Sequence, residues 1–185
     1  MIRIPKTGST SVVRGLFGGL KQEDQVLRAN VPDEWFEGYS FAFVRNPFTR
    51  LISAFKMFKQ YRVENEQEEE FRSNLTIRSM LEMAVDDSIL LDQQNFSSKL
   101  RRHCVPATNP FFHISRLQEI FRFEDYSSEY KRLANALGQP ATDPPHFRKS
   151  KVADSDIRLT EQEIVLAKQV YQEDCATFGY EFNLG

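Results

Sequence analysis

Apolar positions along this chain follow two spacings, and each predicts a different element. Tyr39-Ser40-Phe41-Ala42-Phe43-Val44 is apolar almost throughout over a strand's length, the pattern of a central parallel strand covered on both faces. Asn46-Pro47 follows at once, an N-cap residue with proline at the first helical position. Leu51, Ile52, Phe55 and Phe58 then form one stripe of a helix predicted to run to about Tyr61. The chain's start repeats that order. Met1-Ile2-Arg3-Ile4 reads as the end of a short strand, and Thr7 to Thr10 as a small polar turn. Ser11 to Leu20 reads as a helix with Val12, Val13, Leu16 and Phe17 apolar and Gly18-Gly19 as its stop.

Further along, Lys21 to Gly38 is mostly irregular, and Glu64 to Glu70 is an acidic run expected on a solvated loop or helix face. Helices are predicted over Thr76 to Val85 and Ile89 to Leu100, with a loop over His103 to Asn109. Ile120-Phe121-Arg122-Phe123 alternates like a strand, and Ser127 to Leu137 is a helix stopped by Gly138. Asp143 to Lys151 is a basic loop. Thr160-Glu161-Gln162-Glu163 is a capping box opening a last helix, which ends near Thr177 and buries Ile164, Ala167, Tyr171 and Cys175. Strands that each feed a turn and then a helix predict an α/β fold, a three-layer parallel sheet, with ligands beyond the carboxyl ends of its strands.

At 185 residues the chain suits a single domain, expected to span 1–185. Its formal charge of −2 gives no global basic field, which argues against nucleic acid; an anionic ligand needs a local cluster of donors instead. The 16 phenylalanines are expected in core packing. Cys104 and Cys175 form no CxxC pair and no ligand cluster with His103, His113 and His146, so free thiols are expected, with one disulfide between them as the alternative, and no metal. No apolar run reaches membrane-spanning length, and no signal peptide precedes the first motif. The chain as given therefore reads as cytoplasmic, with the sequons at Asn74 and Asn95 relevant only in a secretory compartment. Motif-like sequence begins already at Ile4, so Met1 as a genuine start and Met1 as the edge of a fragment lacking N-terminal residues both stay open.

Two segments carry anion chemistry. Ile4-Pro5-Lys6-Thr7-Gly8-Ser9-Thr10-Ser11 joins a predicted strand to a helix. Its small residues let backbone N–H groups converge on an anion at a helix N-terminus, with Lys6 adding a charge and Thr7, Ser9, Thr10 and Ser11 adding hydroxyls. The turn is P-loop-like in logic only: in a Walker A loop the lysine follows the second glycine, whereas Lys6 precedes Gly8. The second segment runs from Phe41 to Phe55. Arg45 stands where the buried strand ends, a place for a fork-shaped clamp, and Ser53 could add a hydroxyl; Arg50, three residues from Ser53, shares its helix surface. Two separated anion sites suit a ligand with two separated anionic groups.

These residues resemble a known family. Pro5 to Ser11 is similar to the 5′-phosphosulfate loop of sulfotransferases. Arg45-Asn46-Pro47-Phe48-Thr49-Arg50-Leu51-Ile52-Ser53-Ala54-Phe55 resembles their 3′-phosphate motif, in the spelling of the heparan 2-O- and chondroitin/dermatan carbohydrate sulfotransferases and their bacterial relatives. Weaker likenesses lie at Arg122 to Asp125, at Pro145 to Ser150 and at Asp174 to Tyr180. The resemblance implies a single sulfotransferase domain that uses 3′-phosphoadenosine 5′-phosphosulfate (PAPS), without metal, to sulfate a hydroxyl acceptor, a carbohydrate in that branch. It implies Lys6 as the catalytic residue that stabilises the leaving phosphate, with Thr7, Gly8, Ser9, Thr10 and Ser11 cradling the phosphosulfate. Arg45 and Ser53 would hold the 3′-phosphate, and Lys149 and Ser150 would belong to a closing loop. As a fragment of a longer anchored protein, the chain would work in the Golgi lumen.

The chain departs from the family in one respect. Members supply a histidine or acid base between the two motifs, and Lys21 to Gly38 contains no histidine and only the acids Glu23, Asp24, Asp33 and Glu34. The general base is unassigned, with His146 the candidate beside the closing loop and His103 and His113 as alternatives. Arg101, Arg102, Arg116 and Arg122 are candidates to meet an anionic glycan. Oligomeric state is not legible. Two rival readings accompany the enzyme: a nucleotide-binding module without turnover, and a kinase with a divergent phosphate loop.

Overall fold

In the computed structural model, which describes residues 1–19, 31–145 and 157–182, the elements run α1 (Ser9–Leu16), β1 (Phe41–Val44), α2 (Pro47–Lys59), α3 (Glu66–Asn74), α4 (Ile77–Val85), α5 (Phe96–Cys104), β2 (Glu119–Arg122), α6 (Tyr126–Ala136), α7 (Glu161–Val170) and α8 (Gln172–Phe178). The fold is mixed α/β, mostly helical around a small parallel sheet. Among the described residues no helix is long and apolar enough to cross a membrane. The chain divides into two compact units, residues 1–45 with 110–149 and residues 46–109 with 150–185.

The first unit is built on the predicted buried strand. All four side chains of β1 are buried, and it pairs in parallel with β2, Phe41 opposite Glu119 and Val44 opposite Arg122. Bonds beyond the strand ends extend the ladder: Gln118 N–H donates to Ser40 O at 3.0 Å and Phe123 N–H to Val44 O at 2.8 Å. Residues 1–4 do not form the expected strand, but Ile2 N–H donates to Phe41 O at 2.8 Å and lays that segment along β1. One core joins Phe41, Phe43 and Phe121 of the strands to Val12 and Leu16 of α1 and Tyr130, Leu133 and Ala134 of α6. Helix α6 stops where the sequence predicts. Gly138 takes φ 66°, and bonds from Gly138 N–H to Asn135 O and from Gln139 N–H to Ala134 O close a Schellman cap.

The second unit is helical. Asn46 caps α2 by accepting from Phe48 and Thr49 N–H, and Thr76 and Thr160 open α4 and α7 with reciprocal capping boxes. Its core gathers Phe48, Leu51, Ala54 and Phe58 of α2 with residues of α4, α5 and α7. Glu66 to Glu70 of the acidic run lie in α3, which buries no residue.

Two predicted helices are corrected. The helix placed over Ile89 to Leu100 begins only at Phe96, capped by Asn95, and continues to Cys104. The preceding stretch is a loop held by side chains: Arg101 donates to Ile89 O, and Arg102 donates to the carbonyls of Leu91 and Gln93. The last helix is interrupted at Tyr171, so that α7 and α8 are separate.

Buried polar groups hold the segment after α5. Arg50, expected to share a helix surface with Ser53, is fully buried and donates to the carbonyls of His103 and Val105. Its charge thus sits at the negative end of α5. Tyr171 Oη donates to Cys104 O at 2.6 Å. Asp174, only 1% exposed, accepts from Ala107 N–H and Thr108 N–H, both at 2.8 Å, and from the Thr108 hydroxyl at 2.9 Å. Replacing Asp174 by Ala would leave those donors unpaired, a loss of about 3 kcal/mol. A urea titration of Asp174→Ala is expected to show that loss, and a drop under about 1 kcal/mol would refute the role given to the carboxylate.

Candidate functional site

The loop between residue 4 and α1 is bent by two left-handed residues, Lys6 at φ 69° and Gly8 at φ 76°. A glycine is required at the second. A Cβ there would lie 2.7 Å from Tyr126 Cε2 and 3.1 Å from Phe123 Cε2, besides being strained by its φ. At Lys6 a side chain occupies the same region of backbone space, a local cost of about 1–2 kcal/mol that such loops carry where the backbone's direction matters more than its comfort. The Thr7 hydroxyl is buried and donates to Ile4 O at 2.8 Å, closing the turn from inside. That bond corrects the expectation of a hydroxyl directed at an anion and leaves Thr7 its backbone N–H for that purpose.

Helix α1 then starts at Ser9 with Gly8 as its cap, and no side chain caps it. The N–H groups of a first helical turn lack intrahelical acceptors, and the helix dipole favours negative charge there. Ser9 and Thr10 thus present backbone donors at the loop, with Lys6 three and four residues before them. The Ser11 N–H instead turns back to Gly8 O at 2.9 Å.

Arg45, at the carboxyl end of β1, is brought to this loop. It is half-buried, its Nη1 donates to Lys6 O at 3.3 Å, and its guanidinium carbon lies 4.6 Å from the centroid of the Phe123 ring. Two segments almost forty residues apart in sequence therefore present their cationic groups in one unit.

Tyr126, which the sequence reading did not single out, is part of the same arrangement. Its hydroxyl donates to Gly8 O at 3.1 Å and is hydrogen-bonded by the Ser11 side chain. Burial pushes the phenol up to about 12, against the opposing effect of the Ser11 bond, so it stays protonated at neutral pH. The signal for it was weak: a tyrosine just after a short alternating strand, next to a segment noted only for its likeness to a family.

Lys6, Thr7, Gly8, Ser9, Thr10, Ser11 and Arg45 all lie in the first unit; Ser53 lies half-buried on α2, in the second. Lys149, Ser150, His146, Glu23 and Asp24 fall outside the described residues. Asp33 is paired with Arg116 at 2.7 Å, and Arg116 covers the Phe36 ring at 3.9 Å. His103 donates from Nδ1 to Lys99 O at 2.7 Å and stands edge-on to Phe58, a packing role; His113 adopts φ 51° beside the Phe36 ring. Arg101 and Arg102 are 4% and 8% exposed and tie down the loop before α5, which removes them from the candidates to meet a glycan.

A model of the Sulfotransferase family matches residues 1–181, a span that includes both the loop and Arg45. The chain belongs to the sulfotransferase family. No curated protein and no solved structure matches it. This sulfotransferase is accordingly an enzyme of sulfuryl transfer, which disfavours the reading as a kinase and the reading as a binding module without turnover.

The conformation of Lys6 in this sulfotransferase makes a specific prediction. Lys6→Gly and Lys6→Ala both remove the ammonium group, but only glycine relieves the left-handed strain. Lys6→Gly is expected to be more stable than Lys6→Ala by about 1 kcal/mol in chemical denaturation. Equal stabilities, or alanine the more stable, would contradict the strained loop.

Proposed function

We propose that this sulfotransferase takes PAPS as its donor and delivers the sulfuryl group to a hydroxyl of a carbohydrate. The observation that carries the donor is the meeting of Arg45 with the Lys6 carbonyl, which gathers a guanidinium, an ammonium-bearing residue and the open first turn of α1 in one unit. The donor set fits the ligand in kind. Backbone N–H groups and a lysine suit a phosphosulfate, and a forked guanidinium suits a phosphate monoester. The carbohydrate acceptor rests on the spelling of the Arg45 to Phe55 segment.

In this reading the acceptor oxygen attacks sulfur in line, the bond from sulfur to the bridging phosphate oxygen breaks, and that oxygen leaves with the electron pair. Lys6 stabilises the charge that develops on it, and the N–H groups of Thr7, Gly8, Ser9 and Thr10 hold the phosphosulfate in position. Arg45 binds the 3′-phosphate. The motif resemblance adds Ser53, Lys149 and Ser150 as further contacts to the donor, and His146 as the candidate to take the acceptor's proton. The same reading places β1 and β2 within a three-layer parallel sheet whose P-loop-like turn is the Lys6 to Ser11 loop.

Transfer from radiolabelled PAPS to a panel of polysaccharides, with a phenol as control, tests the assignment. Label is expected in a polysaccharide; transfer to phenol alone would overturn the carbohydrate acceptor, and transfer to neither would overturn the donor. Lys6→Ala is expected to lower kcat by about 10²–10³ with a smaller change in the donor KM, as for a group that acts on transition-state charge. Arg45→Ala is expected to weaken donor binding by about 1.5–3 kcal/mol and to appear mainly in KM.

A further inference from the structure

We infer that Phe123 is a positioning residue of the donor site, one ring that sets Arg45 against the Lys6 to Ser11 loop. The inference rests on the proposed donor. Phe123 is fixed at the carboxyl end of β2, where its N–H donates to Val44 O at 2.8 Å, so its backbone is locked to the residue immediately before Arg45. One side of its environment is the Arg45 guanidinium, 4.6 Å from the ring centroid. Another is Gly8, where Phe123 Cε2 would stand 3.1 Å from an added Cβ. Tyr126 supports the ring at 5.4 Å and is itself held to Gly8 O and packed 5.5 Å from Phe43.

A long arginine side chain has many rotamers, and ordering it costs binding energy unless something orders it beforehand. The face of an aromatic ring attracts a guanidinium and restricts it to a plane, and the Lys6 carbonyl fixes one of its nitrogens. The same ring, with that of Tyr126 closer still, crowds the space a side chain at position 8 would need. Phe123 therefore couples the spacing of the two anion-binding elements, and that spacing is what a ligand with two anionic groups measures. Its contribution belongs to the 3′-phosphate, because it acts through Arg45.

That dependence separates a positioning role from a merely structural one. Calorimetric titrations with adenosine 3′,5′-bisphosphate and adenosine 5′-monophosphate would compare the wild type with Phe123→Leu, Phe123→Tyr, Arg45→Ala and the Phe123→Leu/Arg45→Ala double variant. Phe123→Leu is expected to weaken the bisphosphate about five- to tenfold and the monophosphate by less than about twofold. Phe123→Tyr, which keeps the ring face, is expected to bind both like the wild type. In the Arg45→Ala background the leucine substitution is expected to cost almost nothing further. Equal loss for both ligands, or full additivity with Arg45→Ala, would overturn the inference. Phe123→Met stands in if the leucine variant does not fold, and must show the same split. Failure of the wild type itself to bind the bisphosphate is a different outcome and would overturn the donor.

Discussion

The site depends on one geometric constraint: the residues that follow β1 and β2 are held level with each other by the parallel ladder. The bond from Phe123 N–H to Val44 O is the last rung, and it places the Phe123 ring beside Arg45. From there the constraint passes to Lys6 through its carbonyl, and to Gly8 through the close approach of two aromatic rings. Ile2 is bonded to Phe41 at the start of β1, so the loop leaves the sheet from a fixed point as well. The left-handed backbone of Lys6 is sustained by these neighbours, because nothing in lysine's own preferences favours it.

The second unit shows the same economy with different groups. Its helices bury Arg50 and Asp174, and each charge is directed at backbone atoms. Arg50 takes the carbonyls at the end of α5, and Asp174 takes the N–H groups just after it. Paired in this way the two charges fix a chain segment that no regular element would hold. Removing either partner is costly, because a buried donor or acceptor loses what it would otherwise find in water.

Much of this was legible in the sequence, and the reasons differ by element. Phe41 to Val44 could be read because a buried parallel strand has almost no freedom to be polar. Asn46-Pro47 and Thr160 to Glu163 could be read because capping is local chemistry. Lys6, Gly8 and Arg45 were visible as anion-binding types at a strand-to-helix turn. The start of α5 was misplaced because Arg101 and Arg102 bind the carbonyls of Ile89, Leu91 and Gln93, contacts that periodicity cannot show. The break at Tyr171 was missed although Tyr171 lies on the predicted buried face. Phe123 and Tyr126 were missed as site residues because their significance lies in what they touch, and an aromatic residue after a strand is by default core.

The central claim is that Lys6, the first turn of α1 and Arg45 form a site for a nucleotide with two separated anionic groups. Titrating the unmodified protein with adenosine 3′,5′-bisphosphate, in the absence of metal and beside a titration with magnesium ATP, tests it most directly. The account predicts one-to-one binding of the bisphosphate that magnesium ATP does not displace. A folded chain that ignores the bisphosphate, or that binds magnesium ATP in preference to it, would contradict the account.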